Sequence, residues 1–305
     1  MENKLHLSVS PHIHRKRTTT GIMLDVIIAL LPTTIAGVLI FGLRALAVIG
    51  VCVGSAVLSE FLFNLILKKK HTVKDLSCVV TGLLLALNLP ANAPLWQCAV
   101  GSVFAIIVVK CLFGGIGKNV VNPAITARVF MLVAFTSLAT PAFPVDSTAG
   151  ATPLVSETAP ELTDLLLGNV GGAIGEVCSV ALLIGGVYLL IRKVISWHIP
   201  VAFIGTVFIF SFLVKDFSLS AALIQVLSGG LLLGAIFMAT DYTTSPETSL
   251  GKIVFGVGAG LITALIRFWG VYPEGVSFGI LLMNILNPYI CSLTARKLFG
   301  GGKKK

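Results

Sequence analysis

Seven consecutive residues, Asp146-Ser147-Thr148-Ala149-Gly150-Ala151-Thr152, carry the clearest chemistry in this chain. Thr152 presents a hydroxyl preceded by three slim residues, so a large enzyme can reach its Oγ. Gly150 permits a tight backbone turn. Pro153 fixes the chain just after the hydroxyl, and Asp146 sets a carboxylate upstream. A hydroxyl in such a setting suits esterification by a modifying enzyme. The plain alternative is a small-residue turn without a ligand.

The stretch resembles the flavinylation motif D-x-x-[ST]-G-A-[TS], in which a transferase esterifies FMN onto the final Thr or Ser. Asp146, Gly150, Ala151 and Thr152 match it. Ala149 stands where Ser or Thr is usual, which leaves the acceptor intact. The resemblance implies a covalent FMN, held by a phosphoester on Thr152.

Charges inside apolar stretches are expensive and point to function. Asp25, Glu60, Arg128, Glu176, Asp241 and Arg267 are in such stretches or at their edges. Asp25 and Glu60 sit near an edge, where snorkelling or contact with a Lys accounts for them. Arg128 follows Asn122-Pro123 and is placed to bind a flavin or another anionic group. Asp241 is expected either to cap the next helix near Ser249 or to line an ion path. Asn122-Pro123 and Asn287-Pro288 are expected to break helix hydrogen bonding and free carbonyls for ions or ligands; the plain alternative is a kink. The ion-path candidates are Asp25, Glu60, Asn122, Asp241 and Asn287. No residue stands out as a catalytic acid, base or nucleophile. Cys52, Cys78, Cys98, Cys111, Cys178 and Cys291 lie in or beside apolar stretches without metal-ligand spacing, so they read as small hydrophobes. The five His all belong to polar segments or their edges, which leaves no membrane-embedded axial ligand for haem.

The elements that hold these residues are membrane helices. Mean hydropathy is +0.98, 56% of residues are hydrophobic and 11% charged, against about 25% charged in soluble domains. Apolar runs near the bilayer-spanning length recur at 22–41, 45–67, 76–90, 95–113, 120–139, 172–191, 199–214, 220–240, 251–270 and 276–297. Ten spans are expected in one polytopic domain covering 1–305. The third, ending in Asn88-Leu89-Pro90, is short enough to be a half-helix lining a cavity. The 21 polar residues before the first run do not look like a cleavable signal peptide, so that first span is expected to remain. A formal net charge of +9 raises the question of nucleic acid. The basic residues map to one side of a membrane, which excludes that class.

Lys and Arg orient the spans. Arg15 to Arg17, Lys68 to Lys70, Lys74, Lys110, Lys118, Arg192, Lys193, Lys252, Arg296, Lys297 and the tail Lys303 to Lys305 fall on one side, read as cytoplasmic together with both termini (1–21 and 299–305). The loop 140–171 falls outside. It has no Lys or Arg and carries Asp146, Glu157, Glu161 and Asp164. Such a long loop is more often functional than idle.

Two halves echo each other across that loop, 22–139 and 172–298. GLLLALNLP (82–90) with a later Asn-x-x-Asn-Pro is matched by GLLLGAIFM (230–238) with NILNP (284–288). The copies are five spans apart and so point in opposite directions. An all-α fold of two inverted five-helix repeats with broken helices is expected, with its binding site between the halves.

SPHIHRKRTTTGIMLDVIIALLP (10–32), FGGIGKNVVNPA (113–124), DSTAGATPL (146–154) and ATDYTTSP (239–246) together resemble the RnfD/NqrB family of membrane flavoproteins, on the RnfD side. The resemblance implies a subunit of a prokaryotic inner-membrane complex that couples electron transfer between ferredoxin and NAD to translocation of sodium ions or protons. It implies FMN on Thr152, a non-covalent riboflavin with no residues assigned, a flavin transferase for maturation, and RnfA, RnfB, RnfC, RnfE and RnfG as partners. The reading from another class is an inverted-repeat solute or ion transporter without redox chemistry, similar in architecture to a urea channel.

Overall fold

The computed structural model describes residues 18–68, 72–135, 162–168, 170–270 and 275–295. Among these, the chain is all-helical. Helix α1 (Thr19–Phe41) turns sharply into α2 (Leu43–Ile66), followed by a 3-10 turn (Val73–Asp75) and α3 (Ser77–Leu87). Helix α4 (Leu95–Val103) runs on as a π-helical segment (Phe104–Cys111), and α5 is Pro123–Ala134. After the short α6 (Leu162–Leu167) come α7 (Ser179–Ile191), α8 (His198–Val214) and α9 (Leu219–Leu227). Then α10 (Leu231–Leu233) opens into a second π segment (Gly234–Met238), ahead of α11 (Ser249–Trp269) and α12 (Val276–Thr294).

Local chemistry sets the boundaries. Thr18, Asn122, Ser218 and Thr248 cap α1, α5, α9 and α11 by accepting backbone N–H groups that have no partner inside the helix. Gly42 alone separates α1 from α2, at φ 69°, a conformation open to a residue without Cβ. Where α3 lies on α2, a Cβ on Gly82 would come 2.9 Å from the Cys52 carbonyl oxygen. Small residues of this kind let backbones approach in a medium that supplies little hydrophobic drive between helices.

The ten apolar runs of the sequence become helices of unequal length. Four are long and apolar enough to cross a membrane: α1, α2, α11 and α12. A fifth candidate is α9 with α10 and its π segment, two pieces bent by 64° where one run (220–240) was expected. The remainder, α3, α4 with its π segment, α5, α7 and α8, are apolar helices of 10–17 residues. Large apolar side chains also stand on the outer surface, with Leu39 79% exposed, Leu43 82% and Leu293 86%, which suits lipid contact. Helix α2 packs on α3 and α4, and α11 packs on α8 and α12; α1 against α7 and α5 against α12 join the first half to the second.

Candidate functional site

Asp146, Gly150, Ala151 and Thr152 lie outside the described residues, between the end of α5 and the start of α6. Of the remaining ion-path candidates, Asn122 and Asp241 line one interior cleft with Glu60 behind its wall, while Asp25 and Asn287 stand apart.

A cleft of about 100 Å³ opens between α1, α3, α5, α7 and the turn after the second π segment. Its walls are mainly apolar, with Met23, Leu84 and Phe237 among them, and its polar groups are few: Ser77, Lys110, Asn119, Asn122, Thr240 and Asp241 are the ones that matter here.

Lys110 is the first surprise. Counted in the sequence among the cytoplasmic cations, it is buried at the cleft wall. Its Nζ lies 2.6 Å from Glu60 Oε2 and donates to Ser77 Oγ at 2.7 Å. The other carboxylate oxygen of Glu60 accepts from Thr72 Oγ1, which in turn accepts from Asn64 Nδ2 at 3.0 Å. The contact with a Lys expected for Glu60 is therefore present, sealed inside the protein. Such a pair survives burial only because its remaining lone pairs and protons are satisfied.

Asn122 does not break a helix; it begins one. Its Oδ1 accepts from Ala124 N and Ile125 N at 3.0 and 3.3 Å. Pro123 then takes the first helical position, where its missing N–H is no loss. The amide Nδ2 donates 3.1 Å to the Met238 carbonyl at the end of the second π segment, a carbonyl left over where the π geometry stops. Nearby, Asn88 Nδ2 donates to Leu84 O at 2.7 Å and lies 3.2 Å from Met238 Sδ. With its amide oriented to satisfy both neighbours, Asn284 donates to Thr244 O (3.2 Å) and accepts from Asn122 N (3.1 Å). Three buried asparagines thus stitch α3, α5 and α12 to the second π segment and the turn beyond it.

Asn287, named from the sequence, is not among them. Pro288 sits inside α12, and Asn287 Oδ1 accepts locally from Cys291 Sγ at 3.4 Å. The inward group is Asn284, the first residue of the same Asn-x-x-Asn-Pro. Its counterpart Asn119 lines the cleft.

Asp241 closes its own turn instead of capping α11. It accepts from Thr243 N (3.3 Å), Thr243 Oγ1 (2.9 Å) and Thr244 Oγ1 (3.3 Å), while Thr248 caps α11 through Gly251 N. Loss of water around it raises the Asp241 carboxyl above its ordinary value. Asp25 stands apart from the cleft lining, buried on α1, where it accepts from Tyr188 Oη (3.1 Å) and Arg192 Nη2 (3.0 Å). Arg128 is buried on α5 and Glu176 ahead of α7. The idealised Cβ of Gly230 would meet Glu176 Oε1 at 2.6 Å. Among the described residues, no group of three His, Cys, Asp or Glu could hold a metal ion, and the six cysteines are all free.

The structure thus brings Asn122 and Asp241 together around one cleft with Glu60 behind its wall, and it leaves Asp25 and Asn287 elsewhere. Sequence reasoning missed Lys110, Asn88 and Asn284 as interior groups. The signal for Lys110 was its place within an apolar run, which a loop cation would not share.

The sequence model of the NQR2, RnfD, RnfE family matches residues 6–300. The chain is 47% identical over 316 aligned positions to the D subunit of the Na(+)-translocating ferredoxin:NAD(+) oxidoreductase complex of Acetobacterium woodii, covering 99% of this chain and 98% of that protein. It is 37% identical to the D subunit of the proton-translocating ferredoxin:NAD(+) oxidoreductase complex of Clostridium ljungdahlii (98% and 97% covered). It is 35% identical to the D subunit of the ion-translocating oxidoreductase complex of Escherichia coli (97% and 99%). With one family matched almost end to end and relatives covered over nearly their whole length, the chain belongs to the NQR2, RnfD, RnfE family.

Proposed function

We propose that this chain is the D subunit of a membrane-bound ferredoxin:NAD oxidoreductase complex that couples electron transfer to translocation of sodium ions or protons. The observation that carries this reading is the 47% identity over 99% of the chain to a component of that complex. Its partners are then the remaining subunits, RnfA, RnfB, RnfC, RnfE and RnfG, with a flavin transferase acting during maturation.

Thr152 Oγ holds FMN through a phosphoester in this proposal, within Asp146 to Thr152 on the extracytoplasmic side, and both termini are cytoplasmic. When bound, FMN supplies one-electron exchange between obligate two-electron and one-electron carriers. The loop presents the acceptor hydroxyl, and its acidic, cation-free composition keeps it on the outer face. For the non-covalent riboflavin, Asn119, Asn122, Thr240 and Asp241 at the cleft offer the amide, hydroxyl and carboxylate groups that a ring with a polyol tail needs. Asn122, Asp241 and Glu60 are the interior polar groups best placed for the ion path; Arg128 is a candidate for an anionic ligand.

The inverted ten-helix repeat belongs to the same proposal. It is supported by the joining of the halves through α1 with α7 and α5 with α12, which occupy equivalent places in the two copies. It is supported too by the contact between Asn122 and Asn284, each from the Asn-x-x-Asn-Pro of its own half.

The test is intact mass after denaturation, with peptide mapping of 140–171, on chain produced with its flavin transferase. An FMN-sized addition on the peptide holding Thr152, lost in Thr152→Ala while the complex still assembles, is the expected result. Covalent flavin retained by Thr152→Ala would overturn the site. A colourless, unmodified chain would favour the transporter reading.

A further inference from the structure

The bend between α9 and α10 is a break inside a membrane segment. Helix α9 (Leu219–Leu227) has nine residues and so spans about 13 Å at about 1.5 Å per residue. That is less than half of a hydrocarbon core about 30 Å thick. The chain then turns by 64° through Ser228-Gly229-Gly230, with Gly229 at φ 65°, so α9 ends at membrane depth. Ser228 N still donates to Ile224 O at 2.9 Å. The carbonyls that follow have no N–H ahead of them on the helix, and in hydrocarbon such groups must be met by protein.

Side chains from two other helices meet them. Ser179 Oγ, at the start of α7, donates to Leu227 O at 3.2 Å. Arg267, in the last turn of α11, reaches across the break: Nη1 donates to Gln225 O, and Nη2 donates to Ser228 O at 3.2 Å. The rigid fork of a guanidinium suits two acceptors held at a fixed spacing. Carbonyls at the end of a half-helix are the groups that coordinate cations in transporters built from broken helices. Here N–H groups already occupy them. The void beside the break measures only about 10 Å³ and is bounded by Glu176, Ser228, Gly171 and Gly229 among others. It is at the lower limit for a single water, so a hydrated ion does not fit.

We propose that Arg267 is a positioning residue that seals this break: by filling Gln225 O and Ser228 O it holds the bend and leaves the translocated cation no ligands at the end of α9. The seal lies in the N–H fork. This inference rests on the reading of the chain as the D subunit of an ion-translocating complex, and it leaves the ion path to the polar groups around the cleft.

The test uses the assembled complex in proteoliposomes that enclose dyes for sodium and pH. With reduced ferredoxin and NAD the native complex moves ions, and without reductant its vesicles stay tight. Arg267→Ala leaks the translocated ion several-fold faster without reductant and moves several-fold fewer ions per electron, while electron transfer continues. Arg267→Lys, which keeps N–H donors and loses the fork, falls between the two. Added methylguanidinium restores tightness to Arg267→Ala. Tetramethylammonium, a cation without N–H groups, does not, and this contrast separates a missing fork from a misfolded chain. Arg267→Ala vesicles as tight and as well coupled as native would overturn the inference. So would a leak that methylguanidinium leaves unchanged, or one that tetramethylammonium stops equally well. A native complex that moves no ions on reduction would instead overturn the reading on which the inference rests.

Discussion

Lys110 Nζ lies 2.6 Å from Glu60 Oε2, and both side chains are 3% exposed or less. Removing one partner strands the other charge away from water. Glu60→Ala or Lys110→Met alone should destabilise the chain by about 3–5 kcal/mol, while Glu60→Leu combined with Lys110→Met should recover most of that. Thermal unfolding of the detergent-solubilised variants orders the three. A double variant as unstable as the worse single one would show that the pair is not the source of the loss.

Arg192 makes the contrasting ion pair. Its guanidinium bridges both oxygens of Asp25, yet the arginine side chain is 52% exposed. Arg192→Gln should therefore cost less than either single change at the sealed pair, and its effect should shrink as salt is raised. A loss equal to that of Lys110→Met, insensitive to salt, would contradict this.

Asn122 does two things with one side chain, and substitution can separate them. Asn122→Ala removes the cap of α5, about 1 kcal/mol, and leaves the buried Met238 carbonyl without its donor, about 1–3 kcal/mol more. Asn122→Ser restores the cap and not the reach to Met238, so it should recover about 1 kcal/mol of the loss. Unfolding midpoints compare the two. Identical midpoints would assign the whole effect to the Met238 bond.

Asp241 predicts a pH dependence. Because its carboxyl is raised by burial, the folded chain holds that proton more tightly than the unfolded chain. Below the ordinary carboxylate value of about 4 both states are protonated and no penalty applies. As pH climbs through the raised value, folding must keep a desolvated charge, so stability falls and then levels off. Asp241→Asn should be more stable than the native chain at neutral pH, with the gap closing on acidification. A gap that widens in acid would reverse the assignment.

The long helices were legible because an apolar run bounded by Gly42 or by the polar stretch 241–248 can do little else in a membrane. The runs 22–41, 45–67, 251–270 and 276–297 became α1, α2, α11 and α12 with ends shifted by at most three residues. The shorter helices were less so, since hydropathy does not record where a turn takes over. The same Asn-Pro pair begins α5 at Pro123 and passes through α12 at Pro288. That difference rests on what each asparagine meets across the interface, which is a tertiary fact. Lys110 was misread for the same reason, because its partner lies on another helix.

The π segment at 104–111 has a further implication. A π turn takes up one more residue than an α turn while the axis continues, so it acts as a one-residue offset between the helix before it and the helix after it. Lys110 rides on that offset. Forcing the same residues into ordinary helix without a deletion would rotate the later positions by about a hundred degrees and swing the ammonium off Glu60 without touching either charged residue, whereas deleting a single residue within 104–107 would let ordinary helix return with Lys110 facing as before. The aim of the buried charge is thus written in a count of residues, and a gap of one in an alignment here marks a chain that reaches the same aim with ordinary helix.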